Sequence, residues 1–230
     1  MDGAYPTGAL TQATNGDFYG TTLGGGDNGF GTVFKITPSG ALTTLHRFCS
    51  LGYPCVDGSG PFAGLIQATD GDFYGTTVGG GGPNLGGTVF RIAPNGTLTT
   101  LYSFCSQSGC PDGESPDARL IQATNGDFYG TTDYGGANDN AACLGFGTTG
   151  CGTIFEITRS GNLTTLYSFC SLSGCADGDN PYYAALVQDT NGDFYGTTEA
   201  GGANNDGTVF SLSAGLGPFV KTQPPPVRWE

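Results

Sequence analysis

Positive charge is scarce in this chain: of 230 residues only 7 are Lys or Arg, against 20 Asp or Glu, a formal net charge of −13. Without a basic stripe to neutralise phosphates, nucleic acid is excluded as a natural partner, and anionic membrane surfaces are disfavoured by the same repulsion. A hard cation such as calcium is the expected counter-partner. Histidine, methionine and tryptophan occur once each. No apolar run approaches the roughly 20 residues a membrane helix needs, so membrane insertion is not expected. The opening Met-Asp-Gly-Ala-Tyr-Pro lacks the charged and apolar regions of a signal peptide. Charged residues make up 12% of the chain, too few for a coiled coil or a disordered segment.

What the chain has instead is glycine, 43 residues of it with no Gly-X-Y period, and this demands many turns. It also repeats itself. Gly-Asp-Phe-Tyr-Gly-Thr-Thr begins at Gly16, Gly71, Gly126 and Gly192, at intervals of 55, 55 and 66 residues. Three more markers keep the same order: Asp-Gly-x-x-Pro at Asp2, Asp57, Asp112 and Asp177; Gly-Thr-(Val/Ile)-Phe at Gly31, Gly87, Gly152 and Gly207; Leu-Thr-Thr-Leu at Leu42, Leu98 and Leu163. The long interval reflects an insertion between Tyr134 and Gly152 that carries Cys143 and Cys151. These registers divide residues 2–220 into repeats of about 2–56, 57–111, 112–176 and 177–220, with 221–230 as a tail.

Each unit holds four β-prone runs, in the second repeat Gly64 to Thr69, Phe73 to Thr77, Thr88 to Ile92 and Leu98 to Phe104. Asp70-Gly71-Asp72 and Pro94-Asn95-Gly96 supply the turn residues tight hairpins require. No segment has a 3.6-residue apolar period. Four antiparallel strands repeated at this spacing predict an all-β fold, a β-propeller of four-stranded blades. Four repeats would make four blades, the low end of the usual range of roughly 4 to 8.

The blade plan looks like that of the open-topology propellers that include gluconolactonase-like and other calcium-dependent lactonases. Leu-Ile-Gln-Ala-Thr-Asn-Gly-Asp-Phe-Tyr-Gly-Thr-Thr, followed by Gly-Thr-Ile-Phe-Glu-Ile and Leu-Thr-Thr-Leu-Tyr-Ser-Phe, resembles the GloVer tandem-repeat family of bacterial extracellular proteins, from Asp2 to about Val220. The resemblance implies a secreted or surface location. In that family the stretch matching Gly217 to Thr222 leads into an immunoglobulin-like module and an anchoring region. A propeller-type member described as a calcium-dependent acyl-homoserine-lactone hydrolase makes lactone opening the implied activity.

The eight cysteines fall into four local pairs, Cys49 with Cys55, Cys105 with Cys110, Cys143 with Cys151 and Cys170 with Cys175. Zinc is the competing reading, but Cys-x-x-Cys spacing is missing and the chain has one histidine. Disulfides are therefore expected, stiffening the loops between blades, each contributing about 2 kcal/mol. They point to an oxidising compartment.

Strand alternation places the Asn-Gly-Asp and Pro-x-Gly hairpins on one face of the disc, and the Asp-Gly-x-x-Pro and Gly-rich loops on the other. That second face carries Asp2, Asp27, Asp57, Asp112, Glu114, Asp139, Asp177, Asp179 and Asp206. Calcium wants about 6 to 8 oxygens, and Asp57, Asp112, Asp177 and Asp179 are the expected ligands. Asp-Gly is equally ordinary turn chemistry, and the hairpin residues Asp17, Asp72, Asp127 and Asp193 read as structural. The Phe-Tyr pairs read as packing between blades. His46 stands where sister repeats have Tyr102 and Tyr167, and reads as structural too.

With no Gly-x-Ser-x-Gly elbow, the expected route to hydrolysis is metal-assisted, with a loop carboxylate as general base that the sequence does not single out. The expected protein is a monomeric, extracellular, calcium-binding propeller that hydrolyses a lactone. A non-catalytic extracellular binding module and a structural spacer are the alternatives. Asymmetry between repeats discriminates among them, and it concentrates in the Asp133 to Cys151 insertion and in Asp179, which has no acidic counterpart in the first two repeats.

Overall fold

In the hairpin of each repeat the turn is set by a side chain and a glycine acting together. Asn15 Oδ1 accepts the amide of Asp17 at 3.0 Å, and Asp70, Asn125 and Asn191 do the same for Asp72, Asp127 and Asp193. The residue between them, Gly16, Gly71, Gly126 or Gly192, has φ of 87° to 90°, a left-handed conformation that favours glycine. The computed structural model describes residues 2–138, 143 and 150–216. Among them there is no α-helix, only a three-residue 3-10 turn at Ser173–Cys175.

The second repeat forms a sheet of Ile66–Gln67, Phe73–Thr77, Thr88–Ile92 and Leu98–Ser103, hydrogen-bonded in sequence order and antiparallel throughout. The first strand is shorter than the sequence predicts; the others match within a residue. Repeats one and three form the same four-stranded sheet. Repeat four has three strands, Val187–Gln188, Phe194–Thr198 and Thr208–Leu212, and Gly3–Ala4 pairs with Gly24–Gly25 as a small fifth sheet. The protein is thus all-β with antiparallel four-stranded sheets, but the expected four-bladed ring is not closed among the described residues: the sheets are five and separate.

The invariant Gly-Thr-Thr and Gly-Thr-(Val/Ile)-Phe segments pair with each other inside each sheet. Thr77 and Thr88 share a hydroxyl hydrogen bond of 2.8 Å, repeated at Thr22–Thr32, Thr132–Thr153 and Thr198–Thr208. The glycine of Phe-Tyr-Gly is needed because the ring of the third-strand phenylalanine covers it. A Cβ on Gly75 would lie 2.8 Å from Phe90 Cζ.

Packing between neighbouring repeats also recurs. Tyr19 stacks on Phe73 at 3.9 Å between centroids, Tyr74 on Phe128 at 4.0 Å and Tyr129 on Phe194 at 4.4 Å. The Phe-Tyr pairs therefore do pack sheet against sheet. Such pairs contribute about 0.5–1.5 kcal/mol beyond the area they bury. On the outer flank of repeat four the pattern stops: Val209 is 79% exposed, whereas its counterparts Val33, Val89 and Ile154 are at most 2% exposed. Tyr195 is 38% exposed. This uncovered flank is where closure would have to occur.

Candidate functional site

All four disulfides join the cysteines that the sequence pairs: Cys49–Cys55, Cys105–Cys110, Cys143–Cys151 and Cys170–Cys175. Three of them close the loop between the last strand of one repeat and the Asp-Gly-x-x-Pro of the next. There the aspartates expected to ligate calcium are already engaged. Asp57 accepts the Cys49 amide at 3.0 Å and contacts His46 Nε2 at 2.9 Å. Asp112 accepts the Cys105 amide and the Tyr102 hydroxyl, the latter at 2.8 Å. Asp177 accepts the Tyr167 hydroxyl at 2.6 Å and the amides of Ser171 and Leu172. Burial pushes the Asp177 carboxyl up, but the hydrogen bonds from Tyr167 and Ser171 overcome it and hold the group below the usual range.

Each of these three aspartates staples a strand end to a disulfide loop within its own neighbourhood, and His46 does for Asp57 what tyrosine does elsewhere. The structure does not bring them together on one ion. Asp179 is separate from them: it is 4% exposed, its Oδ1 has no hydrogen-bond partner, and burial, then the charges of Asp177 and Glu199, raise its pKa. Its carboxylate lies close to Cys143, Cys151 and Cys175, whose sulfurs are all in disulfides and so are not free ligands. Asp139 lies outside the described residues, as does the tail 221–230.

The acids that do share a cavity are others. The residue after Gly-Thr-Thr is held in the same way in every repeat, its amide donating to the carbonyl of the residue before the Asp-Gly-x-x-Pro proline. The pairs are Leu23 with Tyr5, Val78 with Gly60, Asp133 with Ser115 and Glu199 with Asn180, at 2.9 to 3.1 Å. Leu23, Val78, Asp133 and Glu199 line a common cavity of about 560 Å³ to which all four repeats contribute, hereafter the hub. Asp117, directly after the proline of repeat three, lines it too, as do Phe62 and Tyr182 at the equivalent position of repeats two and four.

The carboxylates here are buried and crowded. Asp117 is 4% exposed and Asp133 is 3% exposed. Asp117 Oδ1 accepts the amide of Tyr183 at 3.2 Å, while Oδ2 has no partner. Burial, with the negative charge of Asp133 added, pushes Asp117 up to about 7. Burial also raises Asp133 to about 6, with hydrogen bonds from Asn180 and Tyr134 pulling it back and Glu199 and Glu114 pushing it up. Asn180 Nδ2 donates to the Asp133 backbone carbonyl at 3.0 Å. Burial and the neighbouring Asp133 hold the Tyr134 hydroxyl up at about 12. Among the described residues, no Lys, Arg or His lines this cavity.

Around the mouth, Phe62 stacks on Tyr183 with centroids 4.6 Å apart and planes 11° off parallel, and Tyr182 lies against Tyr183. A second cavity, of about 540 Å³, is lined by residues in or just before the first strand of all four repeats. There Arg119 donates to the Leu65 carbonyl at 3.0 Å and to Thr11 Oγ1 at 3.1 Å, tying repeats three, two and one.

Asp117, Asp133 and Glu199 were not singled out as a site by the sequence. The signal was present in register: position by position after Gly-Thr-Thr, the repeats read Leu23, Val78, Asp133, Glu199. Such a break in repeat symmetry marks a position the fold leaves free to vary.

The Gloeobacter/Verrucomicrobia repeat family matches residues 1–144 and again 56–222, and the chain belongs to that family. No curated protein matches the sequence. Among solved structures, a protein of unknown function from Dyadobacter fermentans is 13% identical, with a TM-score of 0.55 over 92% of this chain and 66% of that one. An extracellular domain from B. thetaiotaomicron is 12% identical, TM-score 0.52, over 88% of this chain and 21% of that one. A luciferin-regenerating enzyme is 11% identical, TM-score 0.50, over 92% of this chain and 62% of that one. The chain spans less than two thirds of each, and at such identities the likeness is one of fold. Four disulfides suit an oxidising compartment, and no helix among the described residues is long and apolar enough to cross a membrane.

Proposed function

We propose that this member of the Gloeobacter/Verrucomicrobia repeat family is an extracellular, monomeric β-propeller protein that binds a small molecule at its hub and hydrolyses it, the best-suited substrate being a lactone such as an acyl-homoserine lactone. The observation that carries this reading is the buried pair Asp117 and Asp133 on one wall of the 560 Å³ cavity. Carboxyls held near neutrality in a cleft are suited to moving protons at physiological pH. Asp133 takes a proton from the attacking water and returns it to the ring oxygen as the ester bond breaks. Tyr134 and Asn180, hydrogen-bonded to Asp133, keep its carboxylate in place. Leu23 and Val78, in the same lining, offer apolar surface to the carbon skeleton of the substrate.

Calcium belongs to the same proposal. The charged lining is carboxylate alone, a donor set that suits a hard cation. Glu199 and the Asn180 amide oxygen would hold the ion, which when bound would polarise the substrate carbonyl. Asp179, the remaining sequence-derived ligand, backs this wall through its antiparallel bridge to Ala200.

The aromatic group at the mouth favours a second reading, a binding module that captures a ligand without converting it. Hydrolysis of an acyl-homoserine lactone by the wild type and by Asp133→Asn, with and without a chelator, separates the two. Turnover that is lost in Asp133→Asn supports the hydrolase; ligand binding without turnover in the wild type supports the module. Turnover unchanged in Asp133→Asn rejects the assignment of Asp133.

A further inference from the structure

The carboxylates of this protein divide into those that have a cation and those that do not. Asp17, Asp27, Asp70 and Asp72 form ion pairs with Lys35, Arg47, Arg159 and Arg91, at 3.5, 3.4, 3.7 and 3.0 Å. All of these pairs lie outside the hub. Asp117, by contrast, is 4% exposed, faces a cavity with no Lys, Arg or His among the described residues of its lining, and has Asp133 and Glu199 as charged neighbours. Its Oδ2 has no hydrogen-bond partner among the described residues. A buried carboxylate without a partner costs free energy that a positively charged ligand would recover.

The surroundings of Asp117 determine which kind of positive charge fits. Its other oxygen is fixed by the backbone amide of Tyr183, and the Tyr183 ring stacks on Phe62 from repeat two, with Tyr182 beside it. Leu23 and Val78 add an apolar wall. Calcium finds its oxygens on the Glu199 and Asn180 side of the cavity, whereas beside Asp117 a strongly hydrated ion would meet aromatic rings. An alkylammonium keeps its charge while burying carbon, and ring faces attract it; Tyr183 is covered by Phe62 and Tyr182, so the faces that serve are those of Phe62 and Tyr182 turned away from it. The cavity volume is that of a small-molecule site, for which about 300–1,000 Å³ is usual.

We infer that the hub cavity recognises an organic ammonium group, seated against Asp117 and the rings of Phe62 and Tyr182. This rests on the hub cavity being the functional site and gives that cavity a second ligand class beside the uncharged lactone: an amine or quaternary ammonium compound, with Leu23 and Val78 receiving its carbon skeleton. Asp117 then reads charge, while Asp133 carries the proton.

The test is calorimetric titration of the full chain, slightly above neutral pH, with choline and with 3,3-dimethylbutan-1-ol, which has the same shape but carbon in place of the charged nitrogen. Choline is expected to bind at least about tenfold more tightly. Asp117→Asn is expected to abolish the difference, and Asp206→Asn, at an exposed loop position, to keep it. Phe62→Leu serves as a second variant, expected to weaken choline several-fold while leaving the alcohol unchanged. Equal affinity for the two compounds, or no binding of either by the wild type, overturns the inference. The hydrolase reading fails separately: choline preference without lactone turnover rejects turnover alone, and turnover without choline preference rejects the ammonium site alone.

Discussion

Immediately after Gly-Thr-Thr, on one conserved backbone hydrogen bond, the first two repeats carry Leu23 and Val78 and the last two carry Asp133 and Glu199. Two residues after the Asp-Gly pair begins, the contrast recurs, with Ala4 and Ser59 in the first half and Glu114 and Asp179 in the second. Apart from the three-stranded, uncovered flank of repeat four, the sheets hardly differ between the halves: the same threonine pairs and the same hairpin turns, with a stack of rings at each of the three junctions. The fold is therefore maintained by residues common to all repeats, and the chemistry of the hub by a few positions that the common residues hold in place. A cavity with one apolar wall and one acidic wall results from four equivalent positions filled unequally.

The most severe way to break this contrast is to remove the acid that moves the proton. Asp133→Asn is expected to lower turnover of a lactone by about 10²–10⁴-fold while leaving the melting temperature close to wild type or above it, read by steady-state kinetics and thermal unfolding. The shared scaffold gives the complementary test. Tyr74→Ala, which removes a stack between repeats two and three, is expected to cost about 3–5 kcal/mol in denaturant unfolding, whereas Tyr195→Ala on the uncovered flank should cost under about 1 kcal/mol.

Acidity sharpens the comparison next. Asp117 and Asp133 bind their protons more tightly folded than unfolded, because burial disfavours the charged forms. The stability they confer is complete below the ordinary carboxylate pKa of 3.8 and is lost as pH rises through about 6 and about 7. The loss for Asp117 is on the order of 2–4 kcal/mol, and Asp117→Asn should flatten that part of the stability-against-pH curve. A smaller effect is expected at the stapling ring: Asp57→Asn should cost about 1–2 kcal/mol and leave lactone turnover unchanged, separating the aspartates that hold loops from those that face the cavity.

Strand placement was legible because it is local. Phe-Tyr-Gly-Thr-Thr and Gly-Thr-Val-Phe specify neighbouring strands through turns a few residues long, and the cysteine pairs lie within eight residues of each other. Of the two readings of the Asp-Gly-x-x-Pro aspartates, the hydrogen bonds favour the structural one for three: Asp57, Asp112 and Asp177 are each held by a side chain from the strand before, His46, Tyr102 and Tyr167. The cavity acids were harder to find because they do not recur. Asp117 and Asp133 meet only when loops from separate parts of repeat three fold to the hub, and nothing in their immediate neighbours announces it. Ring closure was beyond local reading altogether, since it depends on the flank of repeat four, where Val209 is exposed.

The stack of tyrosine on phenylalanine has an evolutionary corollary. Because each sheet meets the next through the same pair of rings, a repeat could be duplicated or deleted without inventing a new joint, much as a link is added to a chain. The family pattern matches this protein twice, over windows shifted by one repeat, as such interchangeability predicts. The hub has no such freedom. Every change in the number of repeats would alter which side chains confront one another there, so a lineage that grows by whole repeats keeps its architecture and resamples its binding chemistry in a single step.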